Sequence, residues 1–410
     1  MTEKLYYKDP YIKTFEAAVV QRGEETDGRP YVVLDRTAFY PTGGGQPGDT
    51  GEIDGITVTG TETVAGEIRH YLEQPLPEGR DRVMGRIDWE RRFDHMQQHA
   101  GQHILSAAFA DELGMKTVAF HLGHDDVTID LATEALTEED VRRAEAIANR
   151  IVYQNLPIQT KWVDGDEWTK YPLRKPPRVK ENIRLVIIEN YDYNACGGTH
   201  PGATAEVGPI HVLSWEKNQD GFRVHFICGI RAVRAFADKH RVIRALNRKL
   251  SSQENELPEK LDQLLERYHQ LEKQCEEAND RLLSYEAKEL LAQADDRGSV
   301  RLVARSFIDR EVADCQKLVR LLVDADESVI VLFAIKQRGR LHVIGARGRG
   351  VDWDMRDLVR EGLALINGRG GGKPDRAQGG AETDLTAEGM LTHLKRLFEA
   401  RWKETAASVR

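Results

Sequence analysis

The chain has 410 residues, enough for two or three domains that each bury a core. Hydrophobic content of 40% with 30% charged residues is ordinary for a globular protein with exposed helices, and no apolar run is long enough to span a bilayer. A net charge of −9 argues against a non-specific nucleic-acid binder but leaves room for a local basic face. The four cysteines, Cys196, Cys228, Cys275 and Cys315, are scattered and fit a reducing compartment rather than a disulfide framework. The start lacks a signal-peptide pattern, so a cytoplasmic protein with no membrane association is expected.

From Lys4 to about Asp88, short β-rich runs are split by Gly, Asp and Pro: 15–20, 31–34, 56–59 and 68–72. Their spacing predicts a small barrel or curled sheet over 1–88. Within it lies Thr37-Ala38-Phe39-Tyr40-Pro41-Thr42-Gly43-Gly44-Gly45-Gln46-Pro47-Gly48. Successive glycines expose backbone N–H groups and let a ligand approach the main chain. A glycine run alone also fits a flexible hairpin loop.

Next comes a helix over about 89–113, carrying His95, His99 and His103 at every fourth residue. Residues four apart share one helix face, so His99 and His103 point the same way. A second half-site follows far downstream, Cys196-Gly197-Gly198-Thr199-His200, where glycines let the chain bend so that Cys196 and His200 converge. Either pair alone fits coincidence. Together they make an N/S donor set suited to zinc. His95 reads as a third helix ligand, a supporting group or an exposed residue. A non-ligand role is favoured, because the other four complete the set. Asp94 reads as a surface salt-bridge partner, with support of a histidine as the alternative.

Between the half-sites the pattern predicts a strand pair over 116–122 and 127–131, where His121 and His124 take turn or surface positions. A helix over about 138–155 follows, capped at Thr137. A strand runs over 158–163, and another, buried, over 183–188. The proline-stiffened loop 171–180 carries Arg174, Lys175 and Arg178, charges able to hold phosphates or simply to stay solvated. Strands over 207–213 and 222–228 complete a sheet, with Cys228 as a core thiol. Residues 89–230 thus read as one α/β domain.

From 231 to 295 the composition turns to charged helices. Leu261, Leu264, Tyr268, Leu271, Cys275, Ala278, Leu282 and Tyr285 form a three-four seam, and Pro258 separates it from the preceding helix. An antiparallel hairpin and an intermolecular coiled coil both fit, and Cys275 is expected to pack rather than react. Residues 296–410 alternate strands and helices, a small α/β domain. It carries the glycine-rich stretch 367–380 with Arg369, Lys373 and Arg376. Pro374 and the glycine spacing exclude a P-loop, and the stretch suits either phosphate binding or a packing turn.

The 37–51 loop, the 95–105 helix and the 196–200 loop, in this order, resemble the editing domain of alanyl-tRNA synthetase. The whole chain looks like a free-standing alanyl-tRNA editing protein of the AlaX type, in its long form. The 367–380 stretch after the helices resembles the DHH-associated C-terminal domain of that form. The resemblance implies an α+β multidomain protein with a β-barrel, an α/β editing domain, a helical hairpin or coiled coil and a small C-terminal domain. It implies hydrolysis of the ester joining serine, and sometimes glycine, to alanine tRNA. By the same resemblance zinc is held by His99, His103, Cys196 and His200. Gly44, Gly45 and Gln46 become pocket elements near the ester, and Thr37 the sensor of the serine hydroxyl. Arg174, Lys175, Arg178, Arg369, Lys373 and Arg376 are then expected to contact the tRNA, and the C-terminal half to grip tRNA or form a homodimer. No synthetase catalytic domain is expected before Lys4, so aminoacylation is not. Zinc either polarises the carbonyl and bound water or, with four protein ligands closing the site, anchors the substrate; anchoring is favoured. A silent tRNA-binding module is a second reading. A DHH-type phosphoesterase is a third, though its D-H-H signature is missing.

Overall fold

In the computed structural model, residues 2–177 and 179–408 are described. The chain forms two compact units, Met1–Lys249 and Leu250–Arg410. Among the described residues no helix is long and apolar enough to cross a membrane.

The first unit opens with strand Glu3–Lys4, paired in parallel with Arg36–Thr37, and a four-residue helix, Leu5–Lys8. Neither was expected, because two-residue strands and single turns leave no periodicity to read. Six strands then close on one another in the order Thr14–Glu24, Pro30–Leu34, Glu67–Leu72, Ile56–Val64, Gly51–Ile53 and Arg82–Ile87. Phe15, Val32, Leu34, Phe39, Ile53, Val58 and Leu72 fill the interior. The helix Trp89–Leu113 starts where the Asp88 carboxylate accepts from the Arg91 N–H, and stops at Gly114, whose φ of 68° ends it in the left-handed region. Its buried face packs with the helix Glu138–Tyr153 and a four-stranded sheet ordered Ile210–Asn218, Gly221–Cys228, Val127–Ala132, Lys116–Leu122. Thr137 caps the second helix through a reciprocal capping box with Asp140.

A separate three-stranded sheet holds Ile158–Val163, Ile183–Ile188 and Asp192–Ala195. The strand pair expected to complete a sheet beside 183–188 belongs instead to the four-stranded one, and Val207 lies in a short 3-10 turn. All six residues of Ile183–Ile188 are buried, Arg184 included.

In the second unit a 36-residue helix, Leu257–Ala292, leads into a six-stranded sheet. The expected seam does not define what this helix buries. Leu261, Leu264, Tyr268, Leu271, Cys275, Leu282 and Tyr285 are exposed, while Leu283, Ala287 and Leu290 pack beneath the sheet with Cys315, Leu318 and Leu322. The contact face is therefore offset by one residue from the seam near its end. The parallel pair Arg301–Ile308 and Val329–Gln337 is joined by the helix Val312–Ala325. The glycine-rich stretch is neither turn nor cradle but an edge hairpin: Arg369–Lys373 pairs antiparallel with Arg376–Glu382 around Pro374-Asp375. Gly370, Gly372 and Gly379 sit where a Cβ would meet backbone or Leu363, so close strand contact rather than ligand approach accounts for them.

Candidate metal centre

The histidine helix and the 196–200 loop meet. One donor atom from each of His99, His103, Cys196 and His200 lies within 4.8 Å of the others. His99 and His103, one turn apart, stack with ring centroids 5.2 Å apart and planes 5° from parallel. The Cys196 Sγ lies 3.3 Å from the His99 Nε2 and 3.8 Å from the His200 Nε2. Ligands about 2.0–2.3 Å from a tetrahedral zinc stand about 3.5 Å from one another, so these separations suit the ion. The buried His103 Nε2 and His200 Nδ1 have no hydrogen-bond partner. Burial opposes ionisation of the Cys196 thiol, but the neighbouring His99 and His200 hold its pKa well below the usual thiol value, while burial pushes His200 down to about 3. Burial opposes the charge on His103, but Asp192 and Cys196 outweigh it and raise the imidazole to about 10, so a metal ion taken up here would displace that proton and bind a thiolate and imidazole nitrogens, the donor chemistry such an ion takes.

The outward nitrogens of the two helix histidines are held from behind. The His99 Nδ1 lies 3.0 Å from the Gln46 Oε1. The His103 Nδ1 lies 3.3 Å from the buried Asp192 carboxylate, with the Asn194 amide at 2.9 Å. Asp192 in turn takes the Arg174 guanidinium. Burial raises the Asp192 carboxyl pKa, yet His103 and Arg174 outweigh it and keep the group ionised. Such partners fix ring orientation and tautomer. Gln46 also accepts from the Thr199 N–H at 3.1 Å and donates to the Thr199 hydroxyl at 2.8 Å. Its amide therefore joins the glycine loop to the ligand loop instead of standing open in a pocket. Gly43 and Gln46 exchange both backbone bonds around Gly44 and Gly45, whose φ of 59° and 82° suit a type I′ turn. Both middle glycines are exposed. A Cβ on Gly198 would lie 2.3 Å from the His99 ring, so only glycine fits there.

Thr37 is wholly buried, and its hydroxyl meets the His70 Nε2 at 2.8 Å and the Phe39 N–H at 3.1 Å. His95 is buried and outside the donor cluster, its Nδ1 unpartnered, and burial lowers its pKa to about 4. Asp94 does form an ion pair, with Arg231 at 2.6 Å, but the pair is largely buried and also holds Gln98. Arg174, expected to face a phosphate, is largely covered and bound to Asp192 and Asp111. Lys175 is exposed, and Arg178 lies outside the described residues. Arg369, Lys373 and Arg376 are exposed on the edge hairpin of the second unit. Sequence reasoning missed His70, Arg184, Asp192 and Asn194. The Asp192-x-Asn194-x-Cys196 alternation, which puts three side chains on one strand face, was the signal available for two of them.

The family model for the threonyl and alanyl tRNA synthetase second additional domain matches residues 183–223, which include Cys196 and His200. The DHHA1 domain model matches residues 299–400. The alanine–tRNA ligases of Thermococcus kodakarensis and Pyrococcus abyssi are each 32% identical to the chain. They match 97% and 92% of it but only 44% and 42% of their own length, so the chain spans less than half of these ligases. The alanyl-tRNA editing protein AlaX-L of Pyrococcus horikoshii is 34% identical over 413 residues, covering 96% of this chain and 100% of that protein. Because that similarity runs the full length of AlaX-L and nearly all of this chain, the chain belongs to the AlaX-L family of alanyl-tRNA editing proteins.

Proposed function

We propose that the chain is a trans-acting deacylase that hydrolyses the ester of wrongly attached serine, and secondarily glycine, on alanine tRNA. The observation that carries this reading is the convergence of four donor atoms beside a glycine loop, with Gln46 tying the two together. His99, His103, Cys196 and His200 would hold zinc, which supplies positive charge and a fixed point of attachment beside the ester. Four protein ligands close such a site, so orientation of the substrate fits this set better than attack by a bound hydroxide. The chain's own groups then do the rest. The Gly44 and Gly45 N–H groups take no part in the turn's paired bonds and belong to exposed residues, suited to an oxyanion. Thr37 supplies the partner for a serine hydroxyl, and Lys175, Arg369, Lys373 and Arg376 supply exposed cations for the tRNA backbone.

Release of serine from seryl-tRNA, followed with and without a chelator, tests this. Wild-type protein is expected to deacylate and to stop when stripped of metal, and His103→Ala to lose metal and activity together. Unchanged hydrolysis after complete metal removal overturns the zinc assignment. No hydrolysis of either seryl- or glycyl-tRNA by the metal-loaded protein overturns the deacylase reading.

A further inference from the structure

The three-stranded sheet carries a row of side chains leading to the ligand loop. Trp162 and Arg184 are direct cross-strand partners, and the Cys196 N–H donates to the Arg184 carbonyl at 3.0 Å. Trp162, Arg184 and Cys196 therefore stand side by side on one sheet face. Tyr7, from the short N-terminal helix, lies across the row. Its ring meets that of Trp162 edge-on, at 5.4 Å and 79°, and takes the Arg184 guanidinium at 5.0 Å. Its hydroxyl reaches the other end, 3.4 Å from where a Cβ of Gly197 would stand.

Two features of this row are unexplained by folding. Trp162 leaves 49% of its surface exposed, and the exposed Lys4 places its ammonium over the Tyr7 ring at 5.7 Å. Arg184 is only 7% exposed, yet it has no carboxylate partner among the described residues. Its Nη1 donates to the Cys196 and Gly198 carbonyls at 3.0 and 2.8 Å, and its buried Nε has no partner at all. A buried guanidinium Nε–H left without an acceptor is costly, and an anionic oxygen would supply one.

We propose that Trp162, Tyr7 and Arg184 form the seat of the terminal nucleotide of the RNA, with its base stacked on the exposed face of Trp162 and its phosphate drawn by Arg184. The proposal rests on the deacylase reading above, which sets the reacting ester at the ligand loop. The ester hangs from the terminal ribose, so the terminal base must lie within one nucleotide of Cys196. That is where the row runs. Aromatic faces and arginine planes are what hold unpaired RNA bases. The row is continuous with the metal loop, because one guanidinium both stacks on Tyr7 and bonds that loop's carbonyls.

The test uses the full, zinc-loaded chain and two uncharged RNA hairpins, one with a single-stranded 3′ end closing in adenosine and one lacking that adenosine. Wild type is expected to bind the first about tenfold more tightly, the effect of one stacked base. Trp162→Ala should lose that preference and Trp162→Tyr keep it. On the seryl-charged hairpin, Trp162→Ala should raise KM about tenfold, with the change falling on KM rather than kcat. Trp162→Ala retaining the full preference for adenosine, or wild type showing none, overturns the seat. If wild type deacylates and Trp162→Ala matches its KM, the seat falls and the deacylase stands. If wild type binds with the stated preference but hydrolyses nothing, the deacylase falls and the seat stands as an RNA-binding feature.

Discussion

At Thr37 the hydrogen-bond inventory decides what the residue can select. The Val32 carbonyl can only accept, so His70, 3.1 Å away, donates to it through Nδ1–H. His70 Nε2 is then an acceptor and takes the Thr37 proton, while the Phe39 N–H occupies one lone pair of the hydroxyl. One lone pair remains, suited to a donor such as the serine hydroxyl and useless to the methyl of alanine. Reaching it requires the residues covering Thr37 to part. Thr37→Val is expected to slow release of serine about tenfold, the size of one neutral hydrogen bond, with far less effect on glycyl-tRNA. Equal rates for variant and wild type on both charged tRNAs would remove Thr37 from this role. His70 carries a second consequence. Burial, opposed by the Val32 carbonyl, lowers its pKa to about 4. A histidine depressed in the fold stabilises above its unfolded pKa near 6.5 and loses that contribution as pH falls toward 4. The full loss is about 3 kcal/mol. Denaturant titrations of wild type and His70→Gln should therefore converge as pH drops from 7 to 4.5; a constant gap would mean that His70 charges freely inside the fold.

Among the elements, the histidine helix and the ligand loop fit only because of one missing side chain. Gly198 passes against the His99 ring, whereas neighbouring Gly197 is exposed with only the Tyr7 hydroxyl near it. Gly198→Ala should displace the ring or the loop and cost the protein its metal, read by metal analysis and by a lowered melting temperature. Gly197→Ala should keep its metal. Equal metal content in the two variants would show that the loop gives way more easily than this packing implies. The barrel is fixed to the same helix by the fully buried Arg92–Asp49 pair, which also orders the glycine loop because Asp49 accepts from the Tyr40 N–H. A buried pair of this kind locks two elements together, since breaking it strands a charge away from water.

For the molecule as a whole, all four donor residues lie in the unit Met1–Lys249, which has its own apolar core, while separate clusters fill the unit Leu250–Arg410. Units with separate cores are able to fold apart. A chain ending at Lys249 should therefore retain one metal ion per chain by mass spectrometry, with weaker tRNA binding than the full protein. Loss of metal in a folded, monodisperse truncation would show that the second unit supports the centre. The net charge of −9 makes the placement of exposed Lys175, Arg369, Lys373 and Arg376 matter more than any overall attraction to RNA.

Local sequence by itself determined the helix that pairs His99 with His103, the Thr137 cap of the helix after it, the tight bend at Cys196–His200 and the apolar strands, because each follows from periodicity, capping chemistry or backbone freedom within a few residues. The order of the three motifs carried the family. Tertiary structure alone decided that the half-sites meet, that Gln46 and Arg174 point inward to support ligands, that the 367–380 glycines make an edge hairpin, and that the long helix buries Leu283, Ala287 and Leu290 instead of the seam. The reason is common to all four. Which partner a polar or apolar side chain finds depends on chain segments tens to hundreds of residues away, and spacing along one segment contains no information about what the fold brings opposite it.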